Sequence, residues 1–299
     1  MKVGIIGAGA WGGALAASAS RAGNEVVLWS YDAVDAGISG NISVTNDMSQ
    51  IRDATVWLIA TPALFFRETI IKAKIFYTGQ PVIICTKGMC PDGKFVGDIL
   101  VEKLKIDKET LIGILSGPQF ASEVAVGKPN GGIIAGSEKI YSVAKKALSG
   151  MILEESRDIM GVQICGAGKN AVAILMGYLD GKDVGENERA LRLTKAWGEI
   201  VSLGRHMGAQ IETFLGLAGL GDLFLTATSK TSRNYRAGLE LAFGRKSIDT
   251  VEGISAVYGL SKMAANIRCG GDGAKKAGVF MPNMEFLAKL IAACDGAGD

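Results

Sequence analysis

The sequence opens with Met1-Lys-Val-Gly-Ile-Ile-Gly-Ala-Gly-Ala-Trp-Gly-Gly13, and these residues indicate how the rest of the chain folds. A short apolar run, Val3 to Ile6, is typical of a buried strand. An alanine-rich segment, Ala14 to Ala22, is typical of a helix. Three glycines with the spacing G-x-G-x-x-G stand at the join: Gly7, Gly9 and Gly12. The order is strand, tight turn, helix.

That order is the context in which a glycine triplet indicates dinucleotide binding. Gly7 would allow the turn, Gly9 would let the backbone approach a pyrophosphate, and Gly12 would let helix and strand pack closely. Backbone N–H groups at the helix start would face the phosphates, and the helix dipole would favour their charge. The sequence therefore predicts an N-terminal nucleotide-binding domain.

Composition limits the class of protein. A chain of 299 residues with 48% hydrophobic and 21% charged residues has ample material for a core, and its length favours two domains over one large one. The net charge is +2 without a basic block, so we expect no nucleic-acid partner. A small anionic substrate is compatible with that balance.

Location follows from the apolar and cysteine patterns. The glycines after Ile6 would break a signal-peptide helix, and no uncharged apolar run reaches the 18 residues of a membrane span. Five scattered cysteines lack metal-ligand spacing and are odd in number, which predicts reduced thiols, no metal site and a cytoplasmic protein. The oligomeric state stays open, with a homodimer among the alternatives.

Short apolar runs continue through the first half of the chain and predict further strands buried on both faces. Helix-like segments at 63–76, 92–104 and 138–148 separate several of them, which predicts βαβ units and a parallel sheet. Residues 33–53 are polar and predict a connection with a turn near 37–40. The predicted strands after Val3–Ile6 are Glu25–Trp29, Val56–Ala60, Pro81–Cys85, Leu111–Leu115, Gly131–Ala135 and Met151–Glu154.

Helical periodicity replaces these runs after about residue 157. Helices are predicted at 169–180, apolar nearly all round, and at 186–207, 233–243, 253–268 and 283–294. The predicted fold class is α/β, with an N-terminal Rossmann domain of parallel sheet core followed by an all-helical C-terminal domain. The expected boundaries are 1–157 for the dinucleotide-binding domain and 158–299 for a helical substrate-binding and catalytic domain.

Cofactor choice is open at this stage. An NAD-selective Rossmann strand often ends in an acid that binds the ribose hydroxyls. Ser30 occupies about that place, and Asp32 lies a little beyond it. A missing acid leaves room for a 2′-phosphate, but no arginine stands there to hold one. The sequence therefore predicts NAD or NADP without choosing between them.

Five polar or glycine-rich blocks stand outside this scaffold. They are Thr86-Lys-Gly88, Gly117-Pro-Gln-Phe-Ala-Ser-Glu123, Gly166-Ala-Gly-Lys-Asn170, Gly216-Leu-Ala-Gly-Leu-Gly-Asp222 and Thr228-Ser-Lys-Thr-Ser-Arg-Asn234. Taken together and in order, they resemble the NAD(P)-dependent glycerol-3-phosphate dehydrogenases of the bacterial type. The resemblance runs from the N-terminal glycines to Val251-Glu-Gly253, nearly the whole chain.

The resemblance implies an enzyme that interconverts dihydroxyacetone phosphate and sn-glycerol 3-phosphate and feeds phospholipid synthesis. It implies Lys169 as the catalytic acid/base, with Lys87 and Asp222 beside it. Substrate contacts would come from Lys87, Gly117, Gln119, Lys169, Asp222, Ser232, Arg233 and Asn234. Cofactor contacts would come from Gly7, Gly9, Ala10, Trp11, Gly12, Tyr31, Lys87, Ala121, Arg233 and Glu252.

The residue chemistry supports these roles separately. Ketone reduction needs a proton donor, and the histidine of this chain, His206, fits an ordinary helix end better than a catalytic site. A lysine could serve if burial and a neighbouring cation lowered its pKa. Lys169, at the start of an apolar helix, could be buried, and Lys87 could be the neighbouring cation. Lys169 could instead be a surface lysine, and Asp222 a turn or cap residue. Ser232-Arg-Asn234 at a helix start predicts a phosphate-binding site, or a serine cap with an exposed arginine.

Three departures from the family pattern and two rival functions remain. Gln119 replaces the small hydroxyl residue usual in the family, Tyr31 stands where an arginine or histidine is common, and the segment after Asp32 is shortened. One rival is another Rossmann-plus-helical reductase, of the 3-hydroxyacid or 6-phosphogluconate type. The other is a nucleotide-binding sensor without catalysis, which would need neither Lys87 nor Lys169.

Overall fold

A computed structural model describes residues 1–32, 40–107, 111–245, 251–269 and 279–296. The chain forms two compact units. The first comprises Met1–Thr86 and Val96–Val162, and the second comprises Lys87–Phe95 and Gln163–Asp299. Lys87–Phe95 therefore belongs to the second unit although it lies in the first half of the sequence. Part of the turn predicted at 37–40 falls outside the described residues.

The first unit is built on a sheet with the strand order β3-β2-β1-β4-β5-β6-β7-β8. All neighbouring strands run parallel except β6 and β7, which are antiparallel. The strands are Lys2–Ile6 (β1), Glu25–Trp29 (β2), Ile42–Thr45 (β3), Val56–Ile59 (β4), Val82–Ile84 (β5), Ile112–Ser116 (β6), Gly131–Ala135 (β7) and Ile152–Ser156 (β8). The predicted α/β class with a parallel core is confirmed.

Helices of the first unit pack beside this sheet. They are Ala10–Arg21 (α1), Ala63–Ala73 (α2), Val96–Leu104 (α3), Ala121–Ala125 (α4) and Glu138–Ala147 (α5), with 3-10 turns at Met48–Ile51 and Lys74–Phe76. The runs of apolar residues are continuous because β1, β2, β4 and β5 lie in the core and are almost completely buried on both faces. The antiparallel step at β7 follows a connection whose helix, α4, is too short to carry the chain along the sheet.

Three predictions of local structure are wrong. The polar connection at 33–53 contains β3, which pairs with β2 at the sheet edge, where only half-buried side chains are needed. The helix predicted at 92–104 begins at Val96, because Met89 and Phe95 form an isolated antiparallel bridge around a turn. The apolar helix predicted from residue 169 begins at Ile159, so Lys169 lies inside it rather than at its start.

Helices make up the second unit as the structure describes it. Along the chain these are Ile159–Gly181 (α6), which begins in the first unit, Glu186–His206 (α7), Ile211–Leu215 (α8), Asp222–Ala227 (α9), Arg233–Ala242 (α10), Glu252–Cys269 (α11) and Pro282–Gly296 (α12). A π-helical turn, Leu217–Gly221, joins α8 to α9. The predicted glycine-rich turn before Asp222 is therefore helical, and Asp222 begins a helix.

One described helix, α6, is long and apolar enough to cross a membrane, with a window of mean hydropathy 1.4. However, 89% of that window is buried inside the protein, which is the pattern of a core helix. Glycines bring α10 against it: a Cβ on Gly177 would overlap the backbone of Tyr235, and a Cβ on Gly238 would overlap the carbonyl of Ile174. The two helices therefore pack backbone to backbone.

A glutamate from α7 caps the last helix. Glu199 accepts hydrogen bonds from the backbone N–H of Asn283 at 3.0 Å, its side-chain amide at 2.5 Å, and the N–H of Met284 at 3.4 Å. The two backbone N–H groups lie in the first turn of α12, where a helix offers no carbonyl acceptor of its own. Burial raises the pKa of Glu199, and the hydrogen bonds from Asn283 and Met284 oppose that rise.

Candidate active site

Asp222 is the centre of a buried polar cluster in the second unit. Its Oδ1 accepts from Nζ of Lys169 at 2.5 Å, and its Oδ2 accepts from Nζ of Lys87 at 3.1 Å. The Asp222 side chain is fully buried, and those of Lys169 and Lys87 are 7% and 13% exposed. Three residues from distant parts of the sequence thus meet within hydrogen-bond distance, and the surface-lysine interpretation of Lys169 is wrong.

A fourth member, Thr226, completes the cluster. Its hydroxyl accepts from Nζ of Lys169 at 3.1 Å and lies 3.3 Å from Oδ1 of Asp222, to which it donates. Thr226 lies one helical turn after Asp222 on α9, so the two side chains share a face. Sequence reasoning missed Thr226, because the spacing is informative only if a helix begins at Asp222.

Burial lowers the pKa of Lys169 to about 8. Asp222 opposes that shift by its negative charge and its hydrogen bond, and the positive charge of Lys87 adds to it. Desolvation and a nearby cation are the two influences that a lysine needs to exchange protons near neutral pH. Two ammonium groups around one carboxylate also leave an excess positive charge, which suits an anionic ligand.

A chain of amide hydrogen bonds connects this cluster to α10 and α11. Nδ2 of Asn170 donates to the carbonyl of Lys87 at 2.7 Å, and Oδ1 of Asn170 accepts from Nδ2 of Asn234 at 2.9 Å. Oδ1 of Asn234 in turn accepts from the N–H of Gly253 at 2.9 Å. The Asn234 amide is thus held on both sides, and Asn170 fixes the backbone that carries Lys87.

The Ser232-Arg-Asn234 block lies at the start of α10. Ser232 is its N-cap, and its hydroxyl accepts from the N–H of Tyr235 at 3.3 Å. Arg233 is the first residue of the helix and is exposed, with its guanidinium available to a ligand in solvent. Glu252 is the first residue of α11 and is half-buried. His206, the last residue of α7, is exposed, as an ordinary helix-terminal histidine is.

The glycine turn of the first unit has the geometry of a phosphate cradle. Gly7 has φ +109°, and a Cβ on Gly12 would overlap the carbonyl oxygen of Gly7, so both positions require glycine. Gly9 caps α1, and a Cβ there would meet no described atom within 4 Å. Ala10 begins α1 and is exposed, and the indole of Trp11 donates to the carbonyl of Cys85 at 3.0 Å. The residues present fit a dinucleotide pyrophosphate.

The remaining predicted residues also lie in the first unit. Tyr31 follows β2 and is 72% exposed. Ala121 begins α4, and Gly117 follows β6 with φ +133°. Gln119 is buried, with Nε2 3.5 Å from Oδ1 of Asn130 and 3.5 Å from Sδ of Met151, while its Oε1 has no hydrogen-bond partner among the described residues.

Comparison with known families identifies the chain. Residues 2–38 and 33–141 match the N-terminal domain of NAD-dependent glycerol-3-phosphate dehydrogenase, and residues 158–293 match its C-terminal domain. The chain belongs to this family. The predicted family, the oxidoreductase class and the use of NAD or NADP are thereby confirmed.

Individual members of the family align along nearly the whole chain. The glycerol-3-phosphate dehydrogenase [NAD(P)+] of Parvibaculum lavamentivorans is 33% identical over 313 residues, covering 97% of this chain and 92% of its own length. That of Bacillus subtilis is 34% identical over 315 residues, covering 97% and 90%. The crystal structure of glycerol-3-phosphate dehydrogenase from Coxiella burnetii has a TM-score of 0.87 at 27% identity, covering 99% of this chain and 98% of its own.

Proposed function

We propose that the chain interconverts dihydroxyacetone phosphate and sn-glycerol 3-phosphate, with Lys169 as the proton donor and acceptor. The observation that carries this proposal is the buried Lys169–Asp222–Lys87 cluster, in which the pKa of Lys169 is lowered to about 8. A silent nucleotide sensor would gain nothing from burying two lysines around one carboxylate, since buried charges cost stability.

Ketone reduction adds two electrons and two hydrogens to the substrate. The hydride for the carbonyl carbon would come from NADH or NADPH bound at the glycine turn of the first unit. The carbonyl π electrons move to oxygen, and the Lys169 ammonium gives its proton to that oxygen as its charge develops. Lys169 is left as a neutral amine, and oxidation of the alcohol runs through the same steps in reverse.

Asp222 and Thr226 are the groups that hold Lys169 ready for this step. The 2.5 Å contact with Asp222 and the 3.1 Å contact with Thr226 direct Nζ and leave it one further proton for the substrate. Lys87 balances the charge of Asp222 when Lys169 becomes neutral. Because Nζ of Lys87 and Nζ of Lys169 bind the same carboxylate, we propose that Lys87 also contacts the substrate oxygen.

The start of α10 is the proposed phosphate-binding site. The exposed guanidinium of Arg233 and the backbone N–H groups of Arg233 and Asn234 at the start of the helix suit a phosphate dianion. Ser232 can donate its hydroxyl proton while it caps the helix, and Asn234 keeps the turn in place through Asn170. Gly117 and Gln119 stay predicted substrate contacts, although the Gln119 amide points toward Asn130 and Met151.

The proposed cofactor contacts divide between the units. Those of the first unit are Gly7, Gly9, Ala10, Trp11, Gly12, Tyr31 and Ala121, and those of the second are Lys87, Arg233 and Glu252. We propose that residues 1–157 mainly bind the cofactor and that residues 158–299 mainly bind the substrate and transfer the proton. We further propose a cytoplasmic enzyme that supplies glycerol 3-phosphate for phospholipid synthesis, in keeping with the scattered cysteines and the phosphorylated product, and a homodimer stays one alternative for its oligomeric state.

The test is oxidation of NADH and of NADPH, followed by absorbance, in the presence of dihydroxyacetone phosphate. We expect turnover by the wild type, a loss of about 10³-fold in Lys169→Ala, and unchanged nucleotide binding. Lys195→Ala, which removes an exposed lysine from α7, is the matched control and should retain full activity. The proposal fails if dihydroxyacetone phosphate is inert while a 3-hydroxyacid or 6-phosphogluconate turns over. It also fails if Lys169→Ala keeps more than a tenth of the activity.

A further inference from the structure

An aromatic residue, Tyr31, follows the carboxyl end of β2, and a lysine of α2 lies beside its ring, in the region where an NAD-selective strand carries an acid. In Rossmann domains this strand end lies beside the adenosine ribose of the cofactor. Here Ser30 follows the strand, is 7% exposed, and donates its N–H to Thr45 at 2.9 Å. Tyr31 comes next, and its ring is largely in solvent.

A basic side chain from another element reaches this ring. Nζ of Lys72, near the end of α2, lies 4.4 Å from the centroid of the Tyr31 ring. That distance is within the range of a cation–π interaction, which holds an ammonium group over an aromatic face at modest energy. Lys72 is exposed and forms no ion pair with a carboxylate anywhere in the described parts of the chain. Its ammonium group is thus positioned beside the ring without a carboxylate partner among the described residues.

We propose that Lys72 binds the 2′-phosphate of NADP and that Tyr31 positions it, which makes the chain selective for NADPH over NADH. The inference rests on nucleotide binding by the first unit. NADPH differs from NADH by a phosphate on the adenosine ribose, and a lysine ammonium binds phosphate as a point charge. The ring contact restricts the long Lys72 side chain beforehand, so less conformational entropy is lost on binding.

Asp32 is the competing group. Its exposed carboxylate, directly after Tyr31, would repel a 2′-phosphate or accept hydrogen bonds from ribose hydroxyls if it faced the ribose. Lys72 and Asp32 therefore predict opposite selectivities. Substituting Lys72 and Asp32 in separate variants shows which of the two residues determines the selectivity.

The experiment measures dissociation constants for NADPH and NADH by the fluorescence of the reduced nicotinamide, without any turnover. We expect the wild type to bind NADPH at least tenfold more tightly than NADH. Lys72→Met should weaken NADPH about tenfold and NADH less than twofold. Lys74→Met, which removes an exposed lysine two positions further on, should change neither by more than twofold. Tyr31→Phe should bind like the wild type, whereas Tyr31→Ala should weaken NADPH.

Several results would overturn the assignment. Equal affinity of the wild type for both nucleotides, equal losses for both in Lys72→Met, or an equal effect of Lys74→Met would remove Lys72 from the site. A tenfold loss of NADH affinity in Asp32→Asn, with NADPH unaffected, would make the strand end NAD-selective. If the wild type bound neither nucleotide, the proposed function would fail together with this inference. Binding without selectivity would overturn the inference alone.

Discussion

Asp222 Oδ1 lies 2.5 Å from Nζ of Lys169 although both side chains are buried almost completely. An ion pair out of water is costly unless every charge and lone pair has a partner. Here Oδ2 of Asp222 accepts a hydrogen bond from Lys87. The hydroxyl of Thr226 accepts one from Lys169 and donates one to Oδ1 of Asp222. The Lys169 amine therefore holds a proton in a site where its charged form is only moderately favoured over its neutral form.

The first prediction concerns pH. Burial lowers the pKa of Lys169 to about 8. Ketone reduction needs the protonated amine, so its rate should fall as the pH rises through about 8, whereas alcohol oxidation needs the neutral amine and should rise. Lys87→Met removes a positive charge that lowers this pKa, so both limbs should move to higher pH. Single-turnover rates from pH 6 to 10 measure the limbs, and unchanged limbs in Lys87→Met would contradict the assignment.

The second prediction isolates the hydroxyl of Thr226. Thr226→Val keeps the shape but removes the partner of Lys169 and Asp222, so kcat should fall about tenfold, in line with one hydrogen bond to a charged group. Thr226→Ser should restore most of the activity. The control is Thr228→Val, because Thr228 is exposed and its hydroxyl donates to the carbonyl of Phe224, outside the buried cluster. Equal kcat in Thr226→Val and Thr228→Val would show that the hydroxyl plays no part.

The third prediction concerns Asn170 as a positioning residue. Asn170→Ala breaks the bond to the Lys87 carbonyl and the bond from Asn234, so the KM for dihydroxyacetone phosphate should rise about tenfold. Nucleotide affinity should stay within twofold, and Asn187→Ala, an exposed change on α7, should alter neither value. A fall in kcat and thermal stability with KM unchanged would indicate a structural role alone.

The fourth prediction concerns the cap of α12. Glu199→Ala leaves three N–H donors of Asn283 and Met284 without their acceptor and should lower the free energy of unfolding by about 2 kcal/mol. Glu188→Ala on the same helix removes an exposed pair with Arg192 and should cost less than about 0.5 kcal/mol. Urea unfolding measures both, and similar losses would mean that Glu199 is not the cap that holds α12.

The sequence predicted the parts of the fold that depend on one continuous signal. Strands such as Val56–Ile59 are apolar throughout because both faces are buried, and α7 shows helical periodicity over its whole length. The edge strand Ile42–Thr45 was not predicted, because half-buried residues do not form a continuous apolar run. The glycines before Asp222 predicted a turn, yet Gly219 is needed where the chain touches the backbone of Phe214.

Residue types, but not partners, could be predicted for the site. The motifs pointed to Lys87, Lys169 and Asp222, and a lowered lysine pKa was expected from burial and a second cation. The contacts of Asn170 with Lys87 and Asn234, and of Glu199 with Asn283, join residues far apart in sequence. No local pattern encodes such pairs; the contact of Asn170 with Asn234, for example, depends on how closely the backbones of α6 and α10 approach at Gly177 and Gly238.

Lys87–Phe95 packs with the second unit, which constrains how the gene can recombine with those of its relatives. A single crossover near residue 160 would pair one parent's Lys87 with the other parent's Asn170 and Asp222, which both contact it. Exchange of the second unit as a whole requires additional breakpoints on either side of this nine-residue segment. Chimaeras that carry the segment with its own helices should inherit a working cluster, whereas simple half-and-half hybrids depend on a match across lineages.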